Sequence, residues 1–375
     1  MKELIGFEIK KLLNKILIWA CFAGLGLMTV TMTANWLAPP AFSVQEDRNG
    51  QKVILEGHDA ILRNQEIAAQ YEGLLTTDKV KQILDAFSFS PAMMEAQHIE
   101  PERQRHYVHN LLFDTLARNG FANLDGSYNG TEIDDVFGPI ASDLVMGYSS
   151  GWEGLSYTLI YDFLVWGCVL VILLSPVFSD EYTRGTDALI LTGIQGRKKC
   201  PAAKIIASYL VSLTGSLILL GIHFLLFFLW HGTKGLESSV QLGELGLFFN
   251  TPYVISWKEA FGLSCLLWLG ATAVLTSLVL LISAWAKSSF SALVISFTLF
   301  CLPMFLPPSG SQAVNLICKL MPINQMQVFY LFAFDRLNLG QWQMNVAWIS
   351  IPMTLAAVVP TAILSKRSFA RHQVR

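Results

Sequence analysis

Six apolar runs, too long and too poor in charge to belong to a water-soluble domain, constrain this chain more than any other feature. An apolar helix needs about 20 residues to cross the hydrocarbon of a bilayer. The runs reach or approach that length at Ile16–Leu37, Tyr157–Phe178, Ile205–Trp230, Ala260–Ala286, Phe290–Leu306 and Met344–Leu364. The fifth is the shortest and contains Pro303. Tryptophans stand at the run ends, with Trp36, Trp152, Trp230, Trp257 and Trp342 on one side and Trp285 on the other. The indole ring is apolar but its N–H needs a partner, which favours the headgroup level. The expected fold is an all-α polytopic membrane protein with six transmembrane helices.

Charge is unevenly shared. Only 14% of residues are charged, against roughly 25% in soluble domains. Residues 39–156 hold 18 of the 28 Asp and Glu but 8 of the 26 Lys and Arg. A basic membrane body therefore carries an acidic insert between spans one and two. Short loops on one side collect Lys2, Lys10, Lys11, Lys15, Arg184, Arg197, Lys198, Lys199, Lys204, Lys287, Lys366, Arg367, Arg371 and Arg375. The other side holds Lys234, Lys258, Lys319 and Arg336. By the positive-inside rule both termini are cytoplasmic and residues 39–156 are extracellular. The first span, preceded by Lys10, Lys11 and Lys15 and followed by Ala38-Pro-Pro-Ala41, is read as an uncleaved anchor. Its apolar run exceeds the 7–15 residues usual in a signal peptide.

The insert reads as mainly helical. Asp78–Phe87 puts Val80, Ile83, Leu84 and Phe87 on one face, with Thr77 as N-cap. Glu102–Asn119 does the same with Val108, Leu111, Leu112 and Thr115, opened by Pro101 and closed by Gly120. A weaker helical pattern covers 53–75, and Gly147–Gly154 reads as a hinge. None of the six cysteines lies in the insert, so no disulfide framework holds it. His106 and His109 share a helix face in this reading, yet zinc needs three or four converging ligands, and a solvated face is the plainer account. The acidic surface fits attraction of a cationic peptide, or simply solubility and repulsion from anionic lipid.

The loop after span two, residues 179–204, is less bland. Leu189, Ile190 and Leu191 form an apolar patch among charges, Gly185, Gly193 and Gly196 divide it, and a basic cluster follows. Exposed leucines between charges point to docking on a protein or on the lipid interface. The run Glu181, Arg184, Gly185-Thr186, Leu189, Leu191, Gly196-Arg197 and Lys204 resembles the ABC type-2 permease family, the membrane subunits of bacterial ATP-driven exporters. The topology matches too. It includes the basic amphipathic stretch Met1–Lys15 and an apolar segment, 307–341, split by Pro322. Residues 1–38 then form an amphipathic helix and span one, and 157–375 form spans two to six. The long insert departs from the family's best-known members, so their substrates do not transfer.

The resemblance implies that 179–204 couples to a separate ATPase, present in two copies and holding ATP and Mg. It also implies a second permease, identical or related, and a bacterial plasma membrane location. Segment 307–341 is then expected to form two short helices dipping into the outer leaflet. The N-terminal stretch fits an interfacial helix beside the ATPase, or equally a positive-inside flank. This chain has no G-x-x-x-x-G-K-[ST] phosphate loop, no H-E-x-x-H and no G-x-S-x-G. It is therefore not expected to be an enzyme, to bind a cofactor directly or to bind nucleic acid. Asp162 and His223 are the main ionisable residues within spans, and such groups are candidates for a substrate pathway. Asp162 is expected near the outer boundary, reaching water or a neighbour, and neutral His223 as a packing hydrogen-bonder.

Export of a lipid, peptide or drug-like substrate is the leading functional expectation. A non-translocating sensor or immunity module of an ABC complex is the alternative, and an ATP-independent scaffold or enzyme the third. The orientation predicts that an impermeant thiol reagent applied to intact cells labels Cys318, if it is accessible, and spares Cys200. Labelling of Cys200 from outside would reverse the topology.

Overall fold

The computed structural model describes residues 1–14, 16–37, 44–48, 51–89, 94, 95, 98, 108–306, 309, 311–326, 336–339 and 342–371. The chain opens with α1 (Lys2–Leu13) and α2 (Ile16–Leu37), which meet at a bend of 67°. Among the described residues, three helical stretches are long and apolar enough to cross a membrane: Ser150–Thr183, Lys199–His231 and Trp257–Trp285. The bent pair makes a fourth if it counts as one span. The fifth expected span is a helix of 17 residues, and the sixth is the helix Val346–Ala370, interrupted by Pro352 and Pro360.

The region between α2 and the next long helix begins with a hairpin, β1 (Val44–Arg48) against β2 (Gln51–Leu55), that the sequence did not announce. Helix α3 (Gly57–Gln70) follows, so the helical pattern expected over 53–75 is interrupted at both ends. Strand β3 (Gly73–Leu74) leads to α4 (Thr77–Ala86) and β4 (Phe87–Ser88). The N-cap of α4 is Thr76, whose hydroxyl accepts from Lys79 N at 3.2 Å, one residue before the expected Thr77. Strand β5 (Val108–His109) precedes α5 (Leu111–Arg118), capped by Asn110. The expected helix 102–119 is thus halved. Pro101 and His106 lie outside the described residues, and His109 sits in a strand bonded to Asp114 at 2.9 Å. Helix α6 (Ile133–Phe137) and β6 (Val145–Met146), paired with β3, complete this part.

Its core is Val80, Ile83, Leu84, Phe113, Leu116 and Phe121, all buried. Leu242 and Phe249, from the loop between the third and fourth expected spans, join it. The outer unit therefore recruits chain from the membrane body and is not confined to 39–156.

Helix α7 (Ser150–Leu174) starts inside the glycine-rich stretch read as a hinge. That stretch is packed. A Cβ on Gly151 would come within 2.5 Å of the His231 ring, so glycine there permits close helix approach. Pro176 opens α8 (Pro176–Thr183), and α9 (Asp187–Thr192) follows. Next come α10 (Lys199–His231), α11 (Trp257–Trp285) and α12 (Ser289–Phe305). Short helices α13 (Gln312–Lys319) and α14 (Pro322–Gln325) lie on either side of the Leu320–Met321 turn, and α13 covers the first of the two short helices expected in 307–341; Val328–Phe332, expected in the second, lies outside the described residues. A hairpin of β7 (Arg336–Leu339) and β8 (Trp342–Asn345) leads into α15 (Val346–Ala370).

Hydroxyls line the seam between α10 and α11. Ser216 bonds Thr272 at 2.9 Å, and Thr276 donates to Ser212 at 2.9 Å. Ser208, Ser212 and Ser216 repeat every fourth residue, so one buried small-residue stripe lets the helices approach.

Two carboxylates tie the outer loop to the start of α7. Glu153, fully buried, accepts from the backbone N–H of Leu245 at 2.7 Å and of Leu247 at 3.3 Å. Ser150 donates to Glu244 at 2.9 Å. Burial, and then the neighbouring Glu153 charge, push the Glu244 carboxyl well above the usual carboxylate range. The folded state then binds a proton that the unfolded state releases between the ordinary and the raised pKa. Stability is accordingly expected to fall as pH rises through that window. Thermal unfolding of the purified protein across pH checks this, and Glu244→Gln should flatten the decline.

Candidate coupling site

The Glu181 carboxylate organises the segment after span two. Lys11 of α1 donates to Oε1 at 2.6 Å, Lys204 of α10 donates to the same oxygen at 2.9 Å, and Thr186 donates to Oε2 at 2.7 Å. The Lys204 ammonium also reaches Glu8 Oε2 at 3.2 Å and the Val177 carbonyl at 3.1 Å. All three of its N–H donors are thus engaged. Lys204 is only 1% exposed, and two cations face two anions, so the cluster is neutral. A buried charge is tolerable only when paired and hydrogen-bonded in this way. The cluster joins α1, α8 and α10.

Gly185 has φ +67°, a region an L-residue enters at a cost of roughly 1–2 kcal/mol. It ends α8 with two backbone bonds, Gly185 N to Tyr182 O at 3.2 Å and Thr186 N to Glu181 O at 3.0 Å. This is a Schellman closure. It also delivers the Thr186 hydroxyl to Glu181. Gly196 is required for a different reason. A Cβ there would lie 1.6 Å from the Ile190 carbonyl oxygen. The chain can fold back on α9 only with no side chain at that position. Arg197 then fastens the fold, donating from Nε to Leu191 O at 3.2 Å and from Nη1 to Ala370 O at 2.8 Å. It serves the carbonyl ends of α9 and α15 together, where a cation is favoured.

The two leucines of the sequence motif part company. Leu191 is 4% exposed and belongs to the membrane-body core, whereas Leu189 is 77% exposed. At about 100° per residue, positions two apart on a helix face nearly opposite ways. Ile194, which the sequence reading did not single out, is fully exposed beside Leu189. Arg184 bonds only Asp180, at 3.1 Å on the surface. The segment therefore has an anchored inner face of Glu181, Thr186, Leu191 and Gly196, and an outer face of Arg184, Leu189 and Ile194.

Other contacts seat it on the helices behind. The Ser283 hydroxyl of α11 accepts from the backbone N–H of Phe178 at 2.9 Å and of Ser179 at 3.1 Å, serving the first-turn donors of α8. Phe369 near the end of α15 is buried against Phe178 and Tyr182.

Sequence reasoning missed Glu8 and Lys11 as partners. Glu8 had a signal, since it shares the apolar stripe of α1 with Ile5 and Leu12 and is buried there. A carboxylate in such a stripe requires a buried cation.

Asp162 and His223 come together. His223 Nε2 contacts Asp162 Oδ2, its Nδ1 donates to the Leu219 carbonyl at 2.7 Å, and both residues are fully buried. Asp162 lies about 18 Å along α7 from its start.

A family profile described as ABC-2 family transporter protein matches residues 8–369, nearly the whole chain. The chain belongs to the ABC-2 transporter family. It is a membrane-embedded permease, and such permeases work with an ATPase subunit. No curated protein gives a significant match.

The charge cluster yields a stability contrast within this permease. Lys204→Met removes a buried cation between two carboxylates, and breaking such pairs costs about 3–5 kcal/mol. Lys11→Met removes a partly exposed one, worth less than about 1 kcal/mol. Unfolding of the two variants in detergent should show that order, and equal losses would refute it.

Proposed function

We propose that this permease is the membrane subunit of an ATP-driven exporter. Residues 179–204 receive the motion of a separate ATPase, and two permease chains, each with six spans, enclose the substrate route. The observation carrying this reading is the two-faced coupling segment. Leu189 on α9 and Ile194 in the turn just after it are exposed apolar side chains. Behind them, Gly185, Gly196, Arg197 and the Glu181–Lys204 ion pair hold the backbone. An exposed apolar contact of this kind suits a groove on a protein partner.

Rigidity matters to the mechanism. Nucleotide binding brings two ATPases together, and their displacement must reach the spans without being absorbed locally. The segment is fastened to α1 and α10 through Lys204, to α11 through Ser283 and to α15 through Arg197. A push on Leu189 is therefore delivered to four helices. The chain supplies no bond chemistry. Its work is a shift between conformations that bind nucleotide-loaded partners differently. The residues around Glu181 face the cytoplasm in this reading, and the outer unit around Phe113 faces outward. A lipid or a peptide handled at the outer face fits the packed acidic domain there.

Leu189→Asp places a charge in the proposed contact while leaving the inner face untouched. It is expected to abolish ATPase co-purification, or to cut transport-coupled ATP turnover at least tenfold, with the melting temperature unchanged. Gly185→Val should lower both coupling and melting temperature, because its φ is positive. Pull-down from native membranes with transport assays decides between them. Full ATPase recovery and unchanged turnover with Leu189→Asp would remove the basis of the proposal.

A further inference from the structure

A crevice of about 390 Å³ opens where α1 bends into α2 and the two pass α10. One wall is Ile9, Leu13, Trp19 and Phe22, and the other runs from Leu210 to Ile218 of α10. The volume is within the range of about 300–1,000 Å³ that accommodates small ligands. Its lining is almost entirely carbon. Thr214 and Trp19 are the lining side chains with a polar atom, and the Trp19 indole N–H is already committed to the Leu13 carbonyl at 2.9 Å. Ordered water needs two to four polar partners, so water does not settle such a space.

We propose that this crevice is a binding site for one acyl chain of an anionic phospholipid of the inner leaflet, with its headgroup held at Lys10. Three observations carry this. The apolar walls demand a hydrocarbon occupant. The crevice lies along α10 from Leu210, nearly two turns along the helix from Lys204 and the polar cluster. This is the depth at which an acyl chain leaves the headgroup layer. Lys10 is the neighbour of Leu13 at i, i+3 and so stands at the rim. It is exposed and makes no ion pair among the described residues, whereas Lys11 and Lys204 are neutralised by Glu181 and Glu8. Among the described residues, Lys10 is then an uncompensated cation beside the apolar slot. The occupant would brace the elbow of α1, the helix tied to the coupling segment. The site is independent of what the permease exports.

The full chain in nanodiscs, with phosphatidylglycerol or phosphatidylcholine carrying a photoactivatable acyl chain, tests this. Cross-linked peptides are read by mass spectrometry. Phosphatidylglycerol should label the peptides containing Leu13–Phe22 and Leu210–Ile218 more strongly than phosphatidylcholine does. Leu210→Trp, which fills the slot, should remove that labelling, and Leu229→Trp, exposed elsewhere on α10, should not. Lys10→Glu should cut phosphatidylglycerol labelling by at least about fivefold, the attraction of one lysine to an anionic surface, and spare phosphatidylcholine. If Leu210→Trp fails to fold, the exposed Lys10→Glu variant decides. Equal labelling by both lipids, or labelling indifferent to both substitutions, overturns the proposal. So does disulfide pairing of two chains through Thr214→Cys with no lipid label, which would mean that a second copy covers the slot.

Discussion

One buried ammonium, that of Lys204, holds one end of this permease together. Taking a charge out of water costs several kcal/mol, and the cost is offset only when every donor finds an acceptor. Lys204 meets that condition with Glu8, Glu181 and the Val177 carbonyl. Glu8 brings the N-terminal helix α1, while Glu181 and the Val177 carbonyl both belong to α8. Removing either carboxylate leaves an unbalanced charge, so α1, α8 and α10 hold one geometry together.

The rest of the inner face is consistent with that anchor. Gly185 and Gly196 are fixed by unrelated constraints, a positive φ and a steric contact with Ile190 O. Arg197 closes two helix ends with one guanidinium. The membrane body behind uses hydroxyl pairs between α10 and α11 instead of charges. Such groups bond across helices without a net charge in the hydrocarbon. Asp162 and His223, both buried within the spans, meet the same constraint by pairing with each other.

Much of this was legible in the chain. Apolar run length gives the helices. The glycines and charges of 179–204 mark a structured loop. What was hidden depends on residues distant in sequence. Glu8 and Lys204 are 196 positions apart, and Asp162 and His223 are 61 apart, so no local pattern shows either pair. Leu189 and Leu191 looked equivalent because a motif records identity and not helix phase. The strand Val44–Arg48 has the sequence VQEDR, too polar to show alternation, and only its partner strand makes it recognisable. The stretch Gly147–Gly154 read as a hinge because small residues serve flexibility and close packing alike, and contact with His231 decides for packing.

The central claim is that α1 and the coupling segment move as one body. Spin labels at Phe7 and Thr192, both exposed, in a background lacking the six native cysteines, would report it directly. The pair is measured in the complex with its ATPase, without nucleotide and with ATP trapped. The account predicts one narrow distance distribution that is unchanged by nucleotide, while a pair from Thr192 to an outer site such as Leu124 shifts. A Phe7–Thr192 distance that changes or broadens with ATP would contradict it, since the Lys204 anchor would then be yielding instead of transmitting.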